Sequence, residues 1–363
     1  MQTRSKSGIF KPKAFTATKH PLPSNLNTEF VPTTYIQASK YPHWRTAMQD
    51  EFNALQNTRT WTLVPSDPSY NLVGCKWVFR IKRNPDGSVD RYKAWLVAKG
   101  YNQQESIDYN DTFSPVAKPV TIRLLLTLAV QSNWFLHQLD VSNAFLHGSL
   151  KEDVYMSQPP GFIDQDKSSY VCHLQKSLYG LKQAPRAWFE KLQSALFSMG
   201  FKASQSDHSL FVLQQPVLVV VLVYVDDILV TGPSSSACTN VISHLSDQFP
   251  IKDLGDLHFF LGLEVTRAST GIFIHQSKYI LDLLKRTHMD GAKPCTTPLG
   301  STKFDLTGSL LDNPEEYRSI VGALQYLTWT RPDLSFSVNL VCQFMHSPRE
   351  PHFSSSEAHT PLS

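Results

Sequence analysis

Cysteine is scarce in this 363-residue chain and poorly placed for cross-linking. The five present (Cys75, Cys172, Cys238, Cys295, Cys342) are odd in number and widely scattered. Such spacing gives neither a disulfide framework nor a zinc ligand set, and it fits a reducing compartment. Long apolar runs are also missing. The N-terminus lacks the apolar core that a secretory signal needs. The longest run, beginning at Val217, is broken by two aspartates, well short of the roughly 18 residues that a membrane span requires. Net charge is small, +3 with histidine neutral, so bulk charge does not by itself announce a nucleic-acid binder. No internal repeat is evident, and the length allows two or three packed subdomains.

What the chain does have is Val217–Gly232, VLVVVLVYVDDILVTG, two β-branched runs that meet at adjacent aspartates. Bounded by Pro216 and by Gly232-Pro233, it reads as strand, because β-branched side chains fit a pleated surface buried on both sides. Buried carboxylates are costly unless compensated, and neighbouring ones repel, so Asp226 and Asp227 need a strong positive partner. A divalent metal is the simplest. If Tyr224-Val225-Asp226-Asp227 caps a hairpin, both carboxylates stand at an accessible tip on a rigid support. Taken alone, the pair reads first as a polar β-turn, since Asp is a common turn residue. In Leu139-Asp140-Val141-Ser142-Asn143-Ala144-Phe145-Leu146, however, another carboxylate interrupts an apolar run in the same manner. Three carboxylates on strand ends make a two-metal site for in-line phosphoryl displacement, in a polymerase or in a metal-dependent nuclease.

The rest of the chain supplies a frame. Trp44, Met48, Phe52 and Leu55 share one face of a predicted helix ending near Asn57, and Trp61–Val64 is a short strand stopped by Pro65. Lys76–Arg83 and Val89–Ala98 form a hairpin around Asn84-Pro85-Asp86-Gly87. Between Gly74 and Gln103 seven cations face two acids, a local +5; this suits a phosphate backbone or a triphosphate, or else a solvated edge hairpin. A helix over Ile122–Val130 precedes a strand, Trp134–Val141, that delivers Asp140. Short strands at Val154–Met156 and Val171–Leu174 follow. Next come a helix with Pro185 in its first turn, its apolar face led by Trp188 and Leu192, and Gly200 as its terminator. After the aspartate hairpin the pattern predicts a helix over Val241–Gln248, then Phe259–Val265 paired with Gly271–His275. Strand, helix, two strands, helix, strand is a split βαβ arrangement. Helical patterns follow at Tyr279–His288, Glu315–Trp329 and Pro332–Phe344.

YVDD, with LDVSNAFLHG before it and DLGDLHFFLGLEV after it, resembles the polymerase core of copia-type retrotransposon reverse transcriptases. GCKWVFRIKRNPDGSVDRYKAWLVAKGYNQ, DYNDTFSPVAKPVTIRLLL, VYMSQPPGF and LQKSLYGLKQAPRAWFEKL resemble the same family, in its order, from about Trp44 to about Met345. The resemblance implies an α+β right-hand polymerase with fingers, a ferredoxin-like βαββαβ palm and a partial helical thumb. Its boundaries are a disordered lead-in over 1–42, fingers and palm over 43–276, thumb and connection helices over 277–346, and an unstructured tail over 347–363 without a ribonuclease H domain. It implies an RNA-directed DNA polymerase that uses two Mg²⁺ ions, with Mn²⁺ as substitute. Its partners would be an RNA template, a DNA or RNA primer, deoxynucleoside triphosphates, and either a second copy or other polyprotein-derived chains. No membrane is involved. The setting would be a cytoplasmic virus-like particle or the nucleus, and the chain is not secreted.

Residue by residue, Asp140, Asp226 and Asp227 are the expected catalytic metal ligands, with the Val141 carbonyl as a further donor and Asp227 the more peripheral. Phe145 matches the family's aromatic that closes over the sugar C2′, and Gln183 the glutamine against the incoming nucleotide. Lys76, Lys82, Arg91, Lys93 and Lys99 are candidates for triphosphate and template contacts. Tyr224 supports the primer end, and Leu261 and Gly262 fall in the segment resembling the primer grip. Lys252 is a candidate general acid for pyrophosphate. Two departures stand against this set. Trp95 occupies a position where the family usually has arginine, and after His346-Ser347-Pro348 the pattern stops, so the chain reads as a piece excised from a polyprotein. A catalytically silent remnant that only binds nucleic acid is the competing expectation.

Overall fold

The computed structural model describes residues 30–352 apart from 85, 269–270, 293–296 and 299–307. Most of the predicted lead-in and of the Gly291–Leu311 linker, and the last eleven residues, lie outside the described residues. Where the lead-in is described it is already folded. Thr34 caps helix α1 (Tyr35–Ala38) by accepting the Gln37 N–H, and Ala38 is buried.

Helix α2 (Pro42–Asn57) starts on a proline and buries Trp44, Met48, Glu51 and Leu55. Strands β1 (Trp61–Pro65) and β2 (Leu72–Val73) precede the basic hairpin, β3 (Cys75–Arg83) and β4 (Val89–Ala98). On β3, Cys75, Trp77 and Phe79 point into the core while Lys76, Val78 and Arg80 face out. Trp44 meets Phe79 and Tyr92 edge to face, with ring centroids 5.3 and 4.9 Å apart. This is what clamps α2 to the hairpin.

The chain continues through α3 (Pro119–Gln131), β5 (Phe135–Val141), β6 (Ser149–Met156), β7 (Tyr170–Lys176) and α4 (Ala184–Ser198). Then come β8 (Lys202–Ala203), β9 (Leu210–Leu213), β10 (Val219–Tyr224), β11 (Asp227–Gly232), α5 (Ser235–Gln248) and β12 (Ile251–Asp256). One sheet has the order β1-β7-β6-β2, and a six-stranded sheet the order β12-β5-β11-β10-β9-β8. In the larger sheet β5, β10, β11 and β12 are linked through α4 and α5 as the split βαβ pattern predicts.

Both faces of this sheet are covered, which explains the unbroken valine runs. Val221, Val223, Ile228 and Val230 pack with Trp188, Leu192, Val241 and Leu245 of α4 and α5. Their alternate neighbours Val220, Leu222 and Leu229 pack with Ile122, Leu125 and Leu126 of α3. Each such side chain contributes about 1.5–3 kcal/mol on burial. One uncompensated charge in their midst would cancel at least one of these, so the aspartates sit where the strands end.

Several boundaries differ from the sequence pattern. Helix α5 begins at Ser235 rather than Val241, because Ser234 accepts the Ala237 N–H as an N-cap. The predicted strand Phe259–Val265 is broken into β13 (Phe259–Phe260) and β14 (Leu263–Ala268) by Leu261 and Gly262, with φ of +53° and +74°. Strand β14 then pairs with β15 (Gly271–His275). Helices α6 (Ser277–Arg286), α7 (Pro314–Leu327) and α8 (Ser335–Cys342) close the fold. The described first residues of the predicted tail are folded: Arg349 bridges to Leu310, and the ring of buried His352 lies 3.9 Å from that of Phe344, centroid to centroid. Among the described residues, no helix is long and apolar enough to cross a membrane.

Candidate active site

Strand register assembles a row of four side chains across one end of the six-stranded sheet. Tyr224 pairs with Asp227, Asp227 with Asp140, and Asp140 with Lys252, on β10, β11, β5 and β12 in turn. Directly paired residues share a face, with Cα atoms about 4.5–5.5 Å apart. Asp226 stands one position off this row, at the hairpin tip. Val225 before it has φ +56°, a region that β-branched residues rarely adopt. Two hydrogen bonds hold the turn there. The Val141 N–H donates to the Asp226 carbonyl at 2.9 Å, and the Trp188 indole N–H donates to the Val225 carbonyl at 2.6 Å.

Asp140 and Asp226 open onto a cleft of about 850 Å³ between the sheet end and the basic hairpin. Val141 and Lys252 line the sheet side, Lys82, Arg91, Lys93 and Trp95 the hairpin side, and Glu51 and Tyr179 also border it. Of the three carboxylates that sequence reasoning drew from two distant segments, Asp140 and Asp226 therefore share this cleft. The Lys93 ammonium lies 5.0 Å from the centroid of the Trp95 ring.

Other expected site residues stand elsewhere. Lys76 and Asp227 do not line the cleft; the Asp227 carboxylate takes a hydrogen bond from the Gln138 side chain. Gln183, expected to touch nucleotide, is fully buried, its amide donating to the Asp108 carbonyl at 2.7 Å and accepting from Gln103 Nε2 at 3.0 Å. It braces the loop before α3 against the start of α4. Phe145 lies behind the cleft wall, edge-on to Tyr179 at 5.2 Å. Leu261 and Gly262 form the turn between β13 and β14. There the Leu261 carbonyl accepts the Tyr326 hydroxyl, and a Cβ at 262 would come within 2.5 Å of that oxygen.

The acidic groups repel one another. Burial, then Asp226 and Asp140, push Asp227 up to about 6, while burial and then Asp140 raise Asp226. Glu51 is pushed up to about 7 by burial, offset by the Leu96 N–H and by Lys93. Among the described residues no three acidic, histidine or cysteine side chains form a ready-made metal-holding group. The expected three-carboxylate set thus narrows to Asp140 and Asp226 beside Val141, with Asp227 behind them. Clustered carboxylates with hard oxygen donors fit Mg²⁺, which retains several waters and needs only one or two protein carboxylates.

A pH dependence follows. A carboxyl group whose folded pKa is raised binds more protons folded than unfolded, so stability falls as pH rises between the two values. For Asp227 and Glu51 that window runs from about 4 to about 7. The melting temperature in chelator is expected to drop from pH 5 to pH 7.5, and Mg²⁺ at pH 7.5 to recover part of the loss. A melting temperature indifferent to Mg²⁺ at pH 7.5 would contradict cation binding at these carboxylates.

A family model described as reverse transcriptase (RNA-dependent DNA polymerase) matches residues 58–301. The chain belongs to the reverse transcriptase family. Its relatives include the retrovirus-related Pol polyproteins from transposons RE1 and RE2 of Arabidopsis thaliana, 54% identical over 356 residues and 51% over 357. Each alignment covers 97% of this chain and 24% of the relative. The Pol polyprotein from transposon TNT 1-94 of Nicotiana tabacum is 38% identical over 322 residues, 85% of this chain and 24% of the relative. The chain spans about a quarter of the length of these relatives, and it is a copia-type reverse transcriptase sequence. Two site features of this reverse transcriptase escaped the sequence reading. The apolar spacing places Trp188 on a buried face and says nothing of its polar edge, although a buried indole N–H usually finds an acceptor. Glu51 was passed over, although it occupies the position between Met48 and Leu55 where the buried face calls for an apolar residue.

Proposed function

We propose that the chain is the polymerase unit of an RNA-directed DNA polymerase of right-hand architecture, extending a DNA or RNA primer on an RNA or DNA template from deoxynucleoside triphosphates. The observation that carries this reading is the cleft itself, with Asp140 and Asp226 facing Lys82, Arg91 and Lys93. Two Mg²⁺ ions, or Mn²⁺, would be held by Asp140, Asp226 and the Val141 carbonyl with Asp227 as a peripheral ligand, and would supply activation of the primer hydroxyl and neutralisation of phosphate charge. Lys82, Arg91 and Lys93 take the triphosphate oxygens and the template backbone, as cations across a cleft do. Lys252, in register with Asp140, donates the proton to departing pyrophosphate. Tyr224 and the Leu261–Gly262 turn support the primer.

Phe145 acts from behind Tyr179. Its ring fixes the wall that a ribose 2′-hydroxyl would meet. Phe145→Val is expected to lower discrimination against ribonucleotides by about tenfold or more, read as the ratio of kcat/KM for matched deoxy- and ribonucleotides. An unchanged ratio would remove Phe145 from sugar selection.

The test of the whole reading is primer extension by the purified chain on a homopolymeric RNA template with Mg²⁺. Trp95 supports a second reading, since it stands in the cleft wall where the family resemblance expects arginine. A chain that binds primer–template but adds no nucleotide would be a silent remnant; one that shortens the primer would be a nuclease.

A further inference from the structure

The chain has seven tryptophans, and six of them pack in or against a buried apolar cluster. Among the described residues Trp95 joins no such cluster. It is half-buried in the cleft wall, where its ring meets no other ring and one cation, the Lys93 ammonium 5.0 Å from its centroid. Lys93 itself lines the cleft, so a cation from the cleft side, and not core packing, lies over the indole. Tyr179, the other aromatic residue lining the cleft, is already packed edge-on with Phe145. A large apolar ring left without a packing partner in a cleft is a surface for a ligand.

Strand register gives this wall a polarity. Lys82 pairs with Arg91 and Val78 with Trp95, and Lys93 stands between the two pairs on β4. Paired residues share a face, and residues two apart on a strand are roughly 7 Å apart. Lys82, Arg91 and Lys93 therefore form the end of the wall nearer the hairpin turn, and Val78, Trp95 and Val97 the other end. A charged end and a flat apolar end, in line on one wall across from Asp140 and Asp226, match the phosphates and the base of a nucleotide.

We propose that Trp95 is the surface on which the incoming nucleobase stacks, and that it makes this chain favour purine over pyrimidine deoxynucleoside triphosphates. The inference deepens the polymerase reading and rests on it for the identity of the ligand. Stacking strengthens with the area of ring overlap, so a two-ring base gains more from an indole than a one-ring base does. Every base has a π-face, which makes the preference graded and not absolute. The phosphates lie on Lys82, Arg91 and Lys93 while the indole takes the base, and Trp95 has no part in making or breaking bonds.

The experiment is equilibrium binding of each deoxynucleoside triphosphate to the full chain on a chain-terminated primer–template with Mg²⁺, the templating base being changed so that every nucleotide is matched. Wild type, Trp95→Phe and Trp95→Leu are compared, with inorganic tripolyphosphate as the probe that carries the charge and lacks the base. Wild type should bind the two purine nucleotides about threefold to tenfold tighter than the two pyrimidine nucleotides. Trp95→Leu keeps apolar bulk without a π-face. It should lose that ratio and bind purine nucleotides about fivefold more weakly or worse, with Trp95→Phe in between. Tripolyphosphate affinity should change by less than about twofold in both variants, because the phosphate contacts stay in place. Nucleotide addition should quench tryptophan fluorescence in wild type and not in Trp95→Phe.

Equal affinity for purine and pyrimidine nucleotides in wild type would overturn the proposal, as would a purine preference that survives Trp95→Leu. So would tripolyphosphate affinity that falls in step with nucleotide affinity, since collapse of the wall then accounts for the loss. A Trp95-dependent purine preference in a chain that extends no primer would uphold the role of Trp95 and sink the polymerase reading instead. Primer extension indifferent to Trp95→Leu would do the reverse.

Discussion

Asp226→Asn is expected to reduce Mg²⁺-dependent primer extension by about 10³-fold or more, because a cation that must neutralise developing phosphate charge loses one of the two carboxylates on the sheet side of the cleft. The fold should survive. Asp226 sits at a hairpin tip, and its turn is held through its backbone carbonyls, by the Val141 N–H and the Trp188 indole N–H, which asparagine leaves in place. In chelator the variant should melt no lower than wild type, since removing one charge relieves the repulsion that raises Asp227. It should also lose most of the stabilisation that Mg²⁺ gives at pH 7.5. Extension at wild-type rate by this variant would exclude the carboxylate cluster as the reaction centre.

The second large effect is structural. Trp188 is buried against Phe249, with centroids 5.2 Å apart, and its indole N–H carries the Val225 carbonyl. Trp188→Ala is expected to cost about 3–5 kcal/mol, a large share of the roughly 5–15 kcal/mol that separates most folded domains from the unfolded chain. Trp188→Phe keeps most of the volume and strands the carbonyl, at about 1–3 kcal/mol. Because that carbonyl belongs to the left-handed residue just before Asp226, phenylalanine should lower kcat more than it raises KM. Urea midpoints for both variants and steady-state extension for the phenylalanine variant separate the two effects. A phenylalanine variant with unaltered midpoint and kcat would show that the indole hydrogen bond does not brace the turn.

Much of this was readable from residue pattern because local and global preferences agree. The β-branched runs of β10 and β11 are apolar at every position since α3 covers one face and α4 and α5 the other. A carboxylate inside such a run announces its own exception. Apolar spacing located α2, α3 and α4, and Pro185 marked the first turn of α4. What escaped depended on contacts far apart in sequence. The side chain of Gln183 can be assigned to a buried brace only once Asp108 and Gln103 are known to lie against it. Asp227 and Asp226 are adjacent, yet they diverge because Val225 adopts φ +56°, which nothing in Val–Asp–Asp requires. The break at Leu261 was hidden by the apolar alternation of the residues around it, and the cap at Ser234 by a serine run that also suits a loop.

The contact between Tyr326 and the Leu261 carbonyl is one of several that join the helices after residue 276 to the rest of the fold, beside the Arg123 guanidinium on the Thr328 and Trp329 carbonyls and the Lys278 N–H on Glu264. Gly262 is what allows the aromatic ring so close, since even one added carbon would collide with the phenolic oxygen. The C-terminal helices therefore cannot tilt without dragging this turn along. Whatever strand rests on it would advance or retreat in step with them, like a pawl geared to its lever.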